Sequence, residues 1–535
     1  MSFSFADFLR SYEARVAPLM KEANEAYWAA ATTGSPEAEK SSARKRAELR
    51  KLHSDPAEYA MLKGWREEGA VTDPLEARQL ELLINAYAEN QLPPATIEDL
   101  SRREQEIESR FTNFRPVYEG RLAGENDLRE VLIRENDSAR RRAAWEAAKE
   151  IGREVAPLLL ELVAARNSAA RSLGFPDFYR MRLALDQLDE AEVFAVLDDL
   201  KHRTDAPFAA AKAELDAVLA KRFGIAPEEL RPWHYADPFF QEAPPGEVNL
   251  DPFFAGRDVV ELTSTFYAGL GLPVDDIIAR SDLYERPKKN QHAYCMDVDR
   301  RGDVRILANV RPDEYWTGTM LHELGHAVYA KYHDPALPFL LREAAHTFTT
   351  EAVAMIFERL TKSADWLHRQ LGLEREEAAA AAGALRRHLR LAALVFIRWG
   401  LVMVYFERAM YRDPKQDLNR LWWELVRELQ LVTPPEGRDA PDYASKIHLG
   451  TAPVYYHNYL LGFLAASQIR AALTAIGSSE GLVGDRAAGD FLRERIFRVG
   501  ARFHWNEMLR RATGERLSAE HFAAEFIGDG SSQKA

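Results

Sequence analysis

The chain has 535 residues, of which 47% are hydrophobic and 29% are charged, and this balance excludes a largely disordered protein. The net charge of −13 excludes a general nucleic-acid binder, which needs a surplus of lysine and arginine, and it argues against binding to an anionic membrane surface. The one cysteine, Cys295, excludes an intramolecular disulfide and fits a reducing compartment.

The first residues of the chain carry a charge every few positions and contain no apolar run typical of a signal peptide. We find no uncharged apolar stretch of the roughly 18 residues needed to cross a bilayer. We therefore expect a cytoplasmic protein with neither a membrane nor a nucleic acid as partner.

Most of the chain shows the spacing of apolar residues that is typical of amphipathic helices. Near residue 93 the Pro93-Pro94 pair interrupts this pattern, and Thr96 with Asp99 predicts a helix start just after it. The predicted helices cover residues 5–30, 38–64, 75–91, 97–113, 127–134, 138–173, 189–221, 257–270, 314–333, 347–371, 375–412, 416–431, 454–477 and 487–513. The pattern indicates an all-α protein.

Two segments depart from helical spacing. Residues 231–256 are rich in proline and aromatic residues and are typical of an ordered irregular loop. Residues 292–310 predict a β-hairpin, because apolar side chains alternate from Val304 to Val310 and the segment Asp299-Arg300-Arg301-Gly302 supplies a turn. The hairpin comes directly before the strongest motif in the chain, so we expect it to belong to the functional site.

That motif is His322-Glu323-Leu324-Gly325-His326. Histidines four residues apart lie one turn apart on the same face of a helix, so both imidazoles can bind one zinc ion. Glu323, next to the first histidine, can take a proton from water as a general base. The motif therefore predicts a zinc-dependent hydrolase.

A catalytic zinc usually has three protein ligands. Pro335 and Pro338 end the motif helix, and a second helix is predicted from Thr347. We expect Glu351, near its start, to be the third ligand, because the apolar face that follows must pack against the motif helix. The alternatives for this position are Glu343, His346 and Glu358.

The stretch from His292 to His326 resembles the angiotensin-converting-enzyme type of dipeptidyl carboxypeptidase, a gluzincin family. Its pattern of His-Ala, two strands and a His-Glu-x-Gly-His helix is matched by His292-Ala293, the predicted hairpin and the zinc motif. The resemblance implies that Glu351, followed by Ala352, completes the zinc site. The families of thimet-type oligopeptidases and helical metallocarboxypeptidases are near relatives with a similar zinc helix.

A second group of residues extends the resemblance. Lys446 and His448 match a Lys-x-His segment of the family, and Tyr456 and Tyr459 match the start of the following helix. The resemblance implies that Lys446 and Tyr456 bind the C-terminal carboxylate of a peptide. It implies that His448 and Tyr459 bind the substrate backbone and the developing oxyanion, and that His292 and Ala293 bind the substrate backbone.

The chain departs from the family pattern at several positions. Met355 stands where the family has an aspartate that orients a zinc-binding histidine, so these contacts must be built differently. Val426 and Asn458 stand at the positions of arginines in the chloride sites of the family. The family also has a glutamine that helps to bind the substrate carboxylate, and residues 233–237 contain no glutamine.

Taken together, the sequence predicts an all-α peptidase of two helical halves that enclose a deep channel, with one small hairpin beside the zinc helix. We expect one domain over residues 1–535, in which residues 1–115 form a lid and residues 116–535 the catalytic body. One zinc ion would serve the hydrolysis of short peptides, releasing dipeptides from their C-termini. The alternatives are thimet-type internal cleavage, one-residue carboxypeptidase cleavage, or a catalytically silent protein that binds zinc or peptides.

Overall fold

The structure, a computed structural model, describes residues 3–244, 246 and 248–528. Helices make up 69% of it, which confirms the all-α prediction. The α-helices are α1 Phe5–Thr33, α2 Pro36–His53, α3 Pro56–Glu67, α4 Pro74–Glu89, α5 Pro94–Asn113, α6 Glu125–Arg134, α7 Ser138–Lys149, α8 Ile151–Ser172, α9 Phe178–Leu185, α10 Glu190–Phe223, α11 Asp251–Phe254, α12 Val259–Gly269, α13 Asp275–Arg280, α14 Glu314–Lys331, α15 Thr347–Glu358, α16 Ala364–Arg369, α17 Arg375–Arg412, α18 Leu418–Gln430, α19 His448–Thr451, α20 Tyr456–Ala475, α21 Arg486–Leu492, α22 Trp505–Thr513 and α23 Glu520–Phe526.

Capping residues explain where the helices differ from the prediction. The predicted helix over 38–64 is broken because Asp55 caps a new helix, accepting hydrogen bonds from the Ala57 and Glu58 amides. Pro56 then occupies the first helical position, where its missing N–H costs nothing. The prediction of a helix start at Thr96 is also wrong: α5 begins at Pro94, which again occupies the first helical position, although Pro93 before it makes no side-chain cap hydrogen bond.

The described residues contain two small antiparallel sheets. The predicted hairpin is confirmed: β3 (Tyr294–Asp297) pairs with β4 (Val304–Leu307), and Cys295 lies opposite Ile306. A second hairpin, β1 (Val117–Tyr118) with β2 (Arg121–Leu122), corrects the prediction of a single one. Its turn residues, Glu119 and Gly120, both have positive φ angles, as a two-residue hairpin turn requires.

The chain divides into two compact units. Unit 1 contains Met1–Gln91, Val248–Arg386 and Leu461–His521, and unit 2 contains Leu92–Glu247, Arg387–Leu460 and Phe522–Ala535. The predicted lid, residues 1–115, therefore falls partly in each unit. The division into lid and body, the single domain and the channel stay predictions.

Unit 1 has two buried clusters that position the site. One lies among the first helices, where Phe8, Tyr12, Leu83 and Tyr87 pack together with Phe339. The other surrounds α14, whose inner face is fully buried against aromatic side chains of neighbouring helices. Its members include Leu321, Leu324, Val328, Phe348, Val353, Phe357, Phe266 and Tyr267, each at most 1% exposed. The motif helix is thus the centre of unit 1.

Unit 2 is built around aromatic side chains, among them Trp145, Trp399, Phe406 and Trp422. The longest helix, α17, is apolar and long enough over one 18-residue window to cross a membrane, but 67% of that window is buried inside the fold. Burial to this extent is typical of a core helix. The absence of a membrane partner stays a prediction.

Candidate active site

Close packing of α14 against α15 creates the centre of the site. A Cβ added at Gly325 would lie 3.0 Å from the Ala354 Cα and 3.1 Å from the Phe357 ring, so the glycine of the motif lets the two helices approach. The Asp313 carboxylate caps α14 by accepting the Trp316 amide, and His346 caps α15. The local sequence thus fixes both helices that carry the predicted ligands.

The structure brings His322, His326 and Glu351 together. The two Nε2 atoms are 3.2 Å apart. His322 Nε2 lies 3.7 Å from Glu351 Oε1, and His326 Nε2 lies 3.5 Å from Glu351 Oε2. All three side chains are partly exposed, between 19% and 31%, so an ion can reach them.

This donor set fits zinc. Atoms about 2.0–2.1 Å from a tetrahedral zinc ion lie about 3.3 Å from one another, and two imidazoles with one carboxylate are a known catalytic ligand set. The separations of 3.2–3.7 Å are close to that value. Among the described residues this is the one group of three such side chains arranged to bind a metal. The residues that would hold the zinc are therefore His322, His326 and Glu351.

The three alternative ligands lie elsewhere or serve another purpose. Glu343 pairs with Arg300 at 2.5 Å, and its side chain is 60% exposed. His346 accepts the amide of Phe348 at the start of α15. Glu358 lies on the far side of the first imidazole, where its Oε2 is 3.0 Å from His322 Nδ1. Of the four candidates, Glu351 faces both Nε2 atoms.

Both histidines have a hydrogen-bonding partner behind the ring. His322 Nδ1 bonds to Glu358, and His326 Nδ1 lies 2.7 Å from Thr350 Oγ1. Partners of this kind fix the ring orientation and leave Nε2 for the metal. Glu358 and Thr350 therefore orient the two histidines, a role that Met355 cannot fill in place of the aspartate of the family. From the sequence, Glu358 was only an alternative ligand, and no pattern indicated Thr350.

The charges around the three donors are strongly coupled. Burial opposes a charge on His322, but the hydrogen bond to Glu358 and the charge of Glu351 outweigh it and raise the pKa of His322 to about 9. Burial likewise opposes a charge on Glu351, while His326 and His322 bring its pKa below the ordinary value. A surplus of negative charge thus surrounds the imidazoles, which is the environment that a divalent cation requires.

Glu323 lies beside the two histidines and is 7% exposed. Burial raises the pKa of its carboxyl, and the charges of His322 and His326 partly offset this effect. The pKa of the Cys295 thiol in β3 lies well above its ordinary value. Burial is the main cause, and the negative charge of Glu323 adds to it. Both strands of the hairpin pack against α14, the helix that carries Glu323, so the hairpin lies beside the motif helix as the sequence predicts.

His292 and Ala293, which are among the residues predicted to bind substrate backbone, precede the strand. β3 begins at Tyr294, whereas the exposed His292 lies in a turn in which its amide donates to Asn290 Oδ1 at 2.9 Å. His292 and Ala293 thus lead into the strand and do not open it. At its other end, Asn24 Nδ2 donates to the carbonyl oxygens of Asp297 and Val298.

The remaining predicted residues form a second group, in unit 2. The ring centroids of His448 and Tyr456 are 5.2 Å apart, and those of Tyr456 and Tyr459 are 5.5 Å apart. Lys446 Nζ lies 5.9 Å from the centre of the Tyr456 ring. Trp399 Nε1 donates to the Tyr456 hydroxyl at 3.2 Å. The four residues named from the sequence therefore share one cluster.

The structure adds Gln241 to this cluster. Lys446 Nζ donates to Gln241 Oε1 at 2.6 Å, although the two residues are 205 positions apart in the chain. Gln241 lies in the irregular loop, held by the buried Asp237 carboxylate, which accepts the amides of Phe239, Gln241 and Glu242. Gln241 lies four residues beyond the segment 233–237, in which the sequence offers no glutamine.

Burial sets the protonation of this group. It lowers the pKa of Lys446 to about 8, although Asp237 acts in the opposite direction. It also lowers the pKa of His448 to about 4, with a contribution from Lys446, so that imidazole is neutral at pH 7. Burial raises the pKa of Tyr456, which therefore keeps its phenolic proton. The cluster offers one ammonium and neutral donors, which suits a carboxylate.

Two helices with a His-Glu-x-x-His motif and a glutamate facing both imidazoles define a zinc metallopeptidase of the all-α class. The family model described as angiotensin-converting enzyme, peptidase family M2, matches residues 3–205 and 254–526. These stretches make up most of the chain, and the protein belongs to this family. The interval between them contains the loop with Gln241, where the family pattern was hardest to follow from sequence.

The partners behind the histidine rings lead to a test of metal affinity. We expect Glu358→Gln to weaken zinc binding by about 10–100-fold, because the amide is a poorer acceptor for the His322 N–H. Thr350→Val should act in the same direction through His326. Competition with a chromophoric chelator measures both constants.

Glu343→Gln is the matched control, since its carboxylate pairs with Arg300 and its side chain is 60% exposed. It should keep the zinc affinity of the unaltered protein. If Glu358→Gln and Glu343→Gln bind zinc equally well, Glu358 does not support the site.

Proposed function

We propose that this metallopeptidase releases short C-terminal fragments, dipeptides first among them, from short unfolded peptides. The observation that carries the proposal is the hydrogen bond between Lys446 and Gln241 beside Tyr456. An ammonium, an amide and a phenol together form a site for one terminal carboxylate. An enzyme that cleaves only within chains has no use for such a site.

Zinc, when bound, supplies Lewis-acid polarisation of water and of the scissile carbonyl. The protein residues do the rest. Glu323 takes a proton from the attacking water and later delivers it to the leaving amine. We assign His448 and Tyr459 to donate hydrogen bonds to the charge that develops on the carbonyl oxygen. In this proposal, peptide backbone pairs with the edge of β3.

The edge of β3 that remains for a peptide is short. The outer side of β4 is covered, because the Asp282 amide donates to the Ile306 carbonyl and the Ala308 amide donates to the Asp282 carbonyl. Asn24 occupies the carbonyl of Asp297, the last residue of β3, and that of Val298 just after the strand. Main-chain pairing along the rest of β3 would be tolerant of peptide sequence, as expected of an enzyme that acts on many short peptides.

Amidation of the substrate tests the carboxylate site. A peptide with a free C-terminus should be cleaved with a higher kcat/KM than its C-terminal amide, since the amide cannot pair with Lys446. We expect Lys446→Met to raise KM for the free peptide about 10–100-fold and to leave the amide nearly unaffected, because a charge-assisted hydrogen bond is lost only with the former. Gln241→Leu should act in the same direction to a smaller extent.

Mass spectrometry of the products settles the length of the fragment. A two-residue product supports dipeptide release, and single residues support the carboxypeptidase alternative. Equal cleavage of free and amidated peptides would remove the role of Lys446 and favour thimet-type internal cleavage. Cytoplasmic location, and peptides as the partners, stay part of this proposal.

A further inference from the structure

A buried carboxyl in unit 2 has no part in the chemistry proposed above. Glu407, on α17, is 3% exposed. Burial raises its pKa to about 8, against the opposing effects of the Val454 amide and Arg166. A carboxyl in such surroundings destabilises the fold unless it is hydrogen-bonded. Glu407 Oε1 accepts the Val454 amide at 2.8 Å, and both groups are buried.

Val454 has a backbone conformation that valine rarely adopts. Its φ angle is +55°, in the left-handed region, where a side chain branched at Cβ crowds the following carbonyl. Glycine is the residue that adopts this conformation at little cost. A strained residue of this kind persists only when its surroundings hold it in place. The bond to Glu407 holds the amide of this residue.

The strained turn joins two members of the cluster that we propose binds the substrate carboxylate. It follows α19, which begins at His448, and precedes α20, which begins at Tyr456. Arg166 fixes the segment before the turn by donating to the carbonyls of Leu449 and Gly450. Glu407 fixes the turn itself. The buried side chains of Arg166 and Glu407 therefore hold the backbone that sets the two rings 5.2 Å apart.

We infer that Glu407 is a positioning residue: by accepting the Val454 amide it holds the left-handed turn and so places the Tyr456 phenol for the substrate carboxylate. This inference rests on the proposed carboxylate site. The measurable consequence is the preference for free over amidated peptides. A displaced Tyr456 should weaken the binding of peptides with a free C-terminus and should have little effect on amidated peptides, which lack the carboxylate.

The test compares Glu407→Gln with Glu407→Met in the full-length, zinc-loaded protein. The first keeps a carbonyl acceptor for the amide, whereas the second fills a similar volume without one. We expect Glu407→Gln to keep the ratio of kcat/KM for free and amidated peptides, and Glu407→Met to lower it by about tenfold through KM for the free peptide. Zinc content, which depends on unit 1, should be unchanged in both.

A second substitution separates positioning from general damage. Val454→Gly removes the strain that Glu407 restrains, so Glu407→Met combined with Val454→Gly should recover most of the lost selectivity. Val454→Ala removes a similar part of the side chain without making a positive φ angle easy, and it should give no recovery when combined with Glu407→Met. Crystal structures of the variants should show residue 454 outside the left-handed region in Glu407→Met alone.

Three results would overturn the inference: an unchanged ratio in Glu407→Met, an equal loss for both peptides, or recovery by Val454→Ala as large as by Val454→Gly. If the unaltered enzyme itself fails to prefer free peptides, the proposed carboxylate site fails instead. The crystal structures then still decide whether Glu407 holds the turn.

Discussion

Replacing Glu323 by glutamine should lower kcat by about 10²–10⁴-fold, the range that a general base contributes. The amide keeps the size of the side chain but cannot take a proton from water. Because Glu323 is not part of the group formed by His322, His326 and Glu351, the zinc content should stay at one per chain. Peptide turnover together with metal analysis of the purified variant measures both effects.

Glu323→Asp provides the matched control. The aspartate keeps a carboxylate on a side chain that is one methylene shorter. Activity should therefore fall less than in Glu323→Gln, while zinc remains bound. Turnover of Glu323→Gln within a few-fold of the unaltered enzyme would contradict the assignment of the base. Loss of zinc from Glu323→Gln would instead assign it to the metal ligands.

The centre of the site was predictable because its determinants are local. His322 and His326 are one helical turn apart, and this spacing alone places both rings on one face. Glu351 follows within a short helical hairpin, whose two helices must bury facing apolar surfaces. Gly325 completes the pattern, since its missing side chain lets the second helix come close enough for the carboxylate to reach both imidazoles.

Other parts of the site depend on contacts that have no local signal. Gln241 reaches Lys446 across 205 positions of chain, through an irregular loop that Asp237 shapes by accepting three amides. No periodicity specifies such a loop. Glu358 was visible as an acid seven residues after Glu351, but only the rotation of α15 decides that it meets Nδ1 and not Nε2 of His322.

The helix boundaries show the same distinction on a smaller scale. The break between α2 and α3 could have been predicted from the sequence, since Asp55 is a typical helix cap and Pro56 a typical first helical residue. The turn at Val454 could not have been, because valine has no preference for a positive φ angle. Its amide donates to Glu407, which lies 47 residues earlier on α17, and no local pattern indicates this contact.

Replacing Glu351 by glutamine should lower zinc affinity by more than the roughly 10–100-fold expected for a residue behind the ligands. Among the residues that the structure describes, Glu351 is the one acid grouped with both imidazoles, and its two oxygens lie 3.7 and 3.5 Å from their Nε2 atoms. An amide oxygen carries no net charge, so the cation loses its only anionic ligand. Without it, the two histidines alone retain metal poorly.

Thermal unfolding gives a measurement of this loss that does not depend on activity. A ligand that binds only the folded state stabilises it by an amount that grows with the ratio of free ligand to Kd, so added zinc should raise the Tm of the unaltered protein and a chelator should lower it. Glu323→Gln should respond like the unaltered protein, and Glu351→Gln should respond to neither addition. Both substitutions convert one glutamate of unit 1 to its amide, so general damage would affect them alike. A normal zinc response of Glu351→Gln would show that the third ligand lies elsewhere.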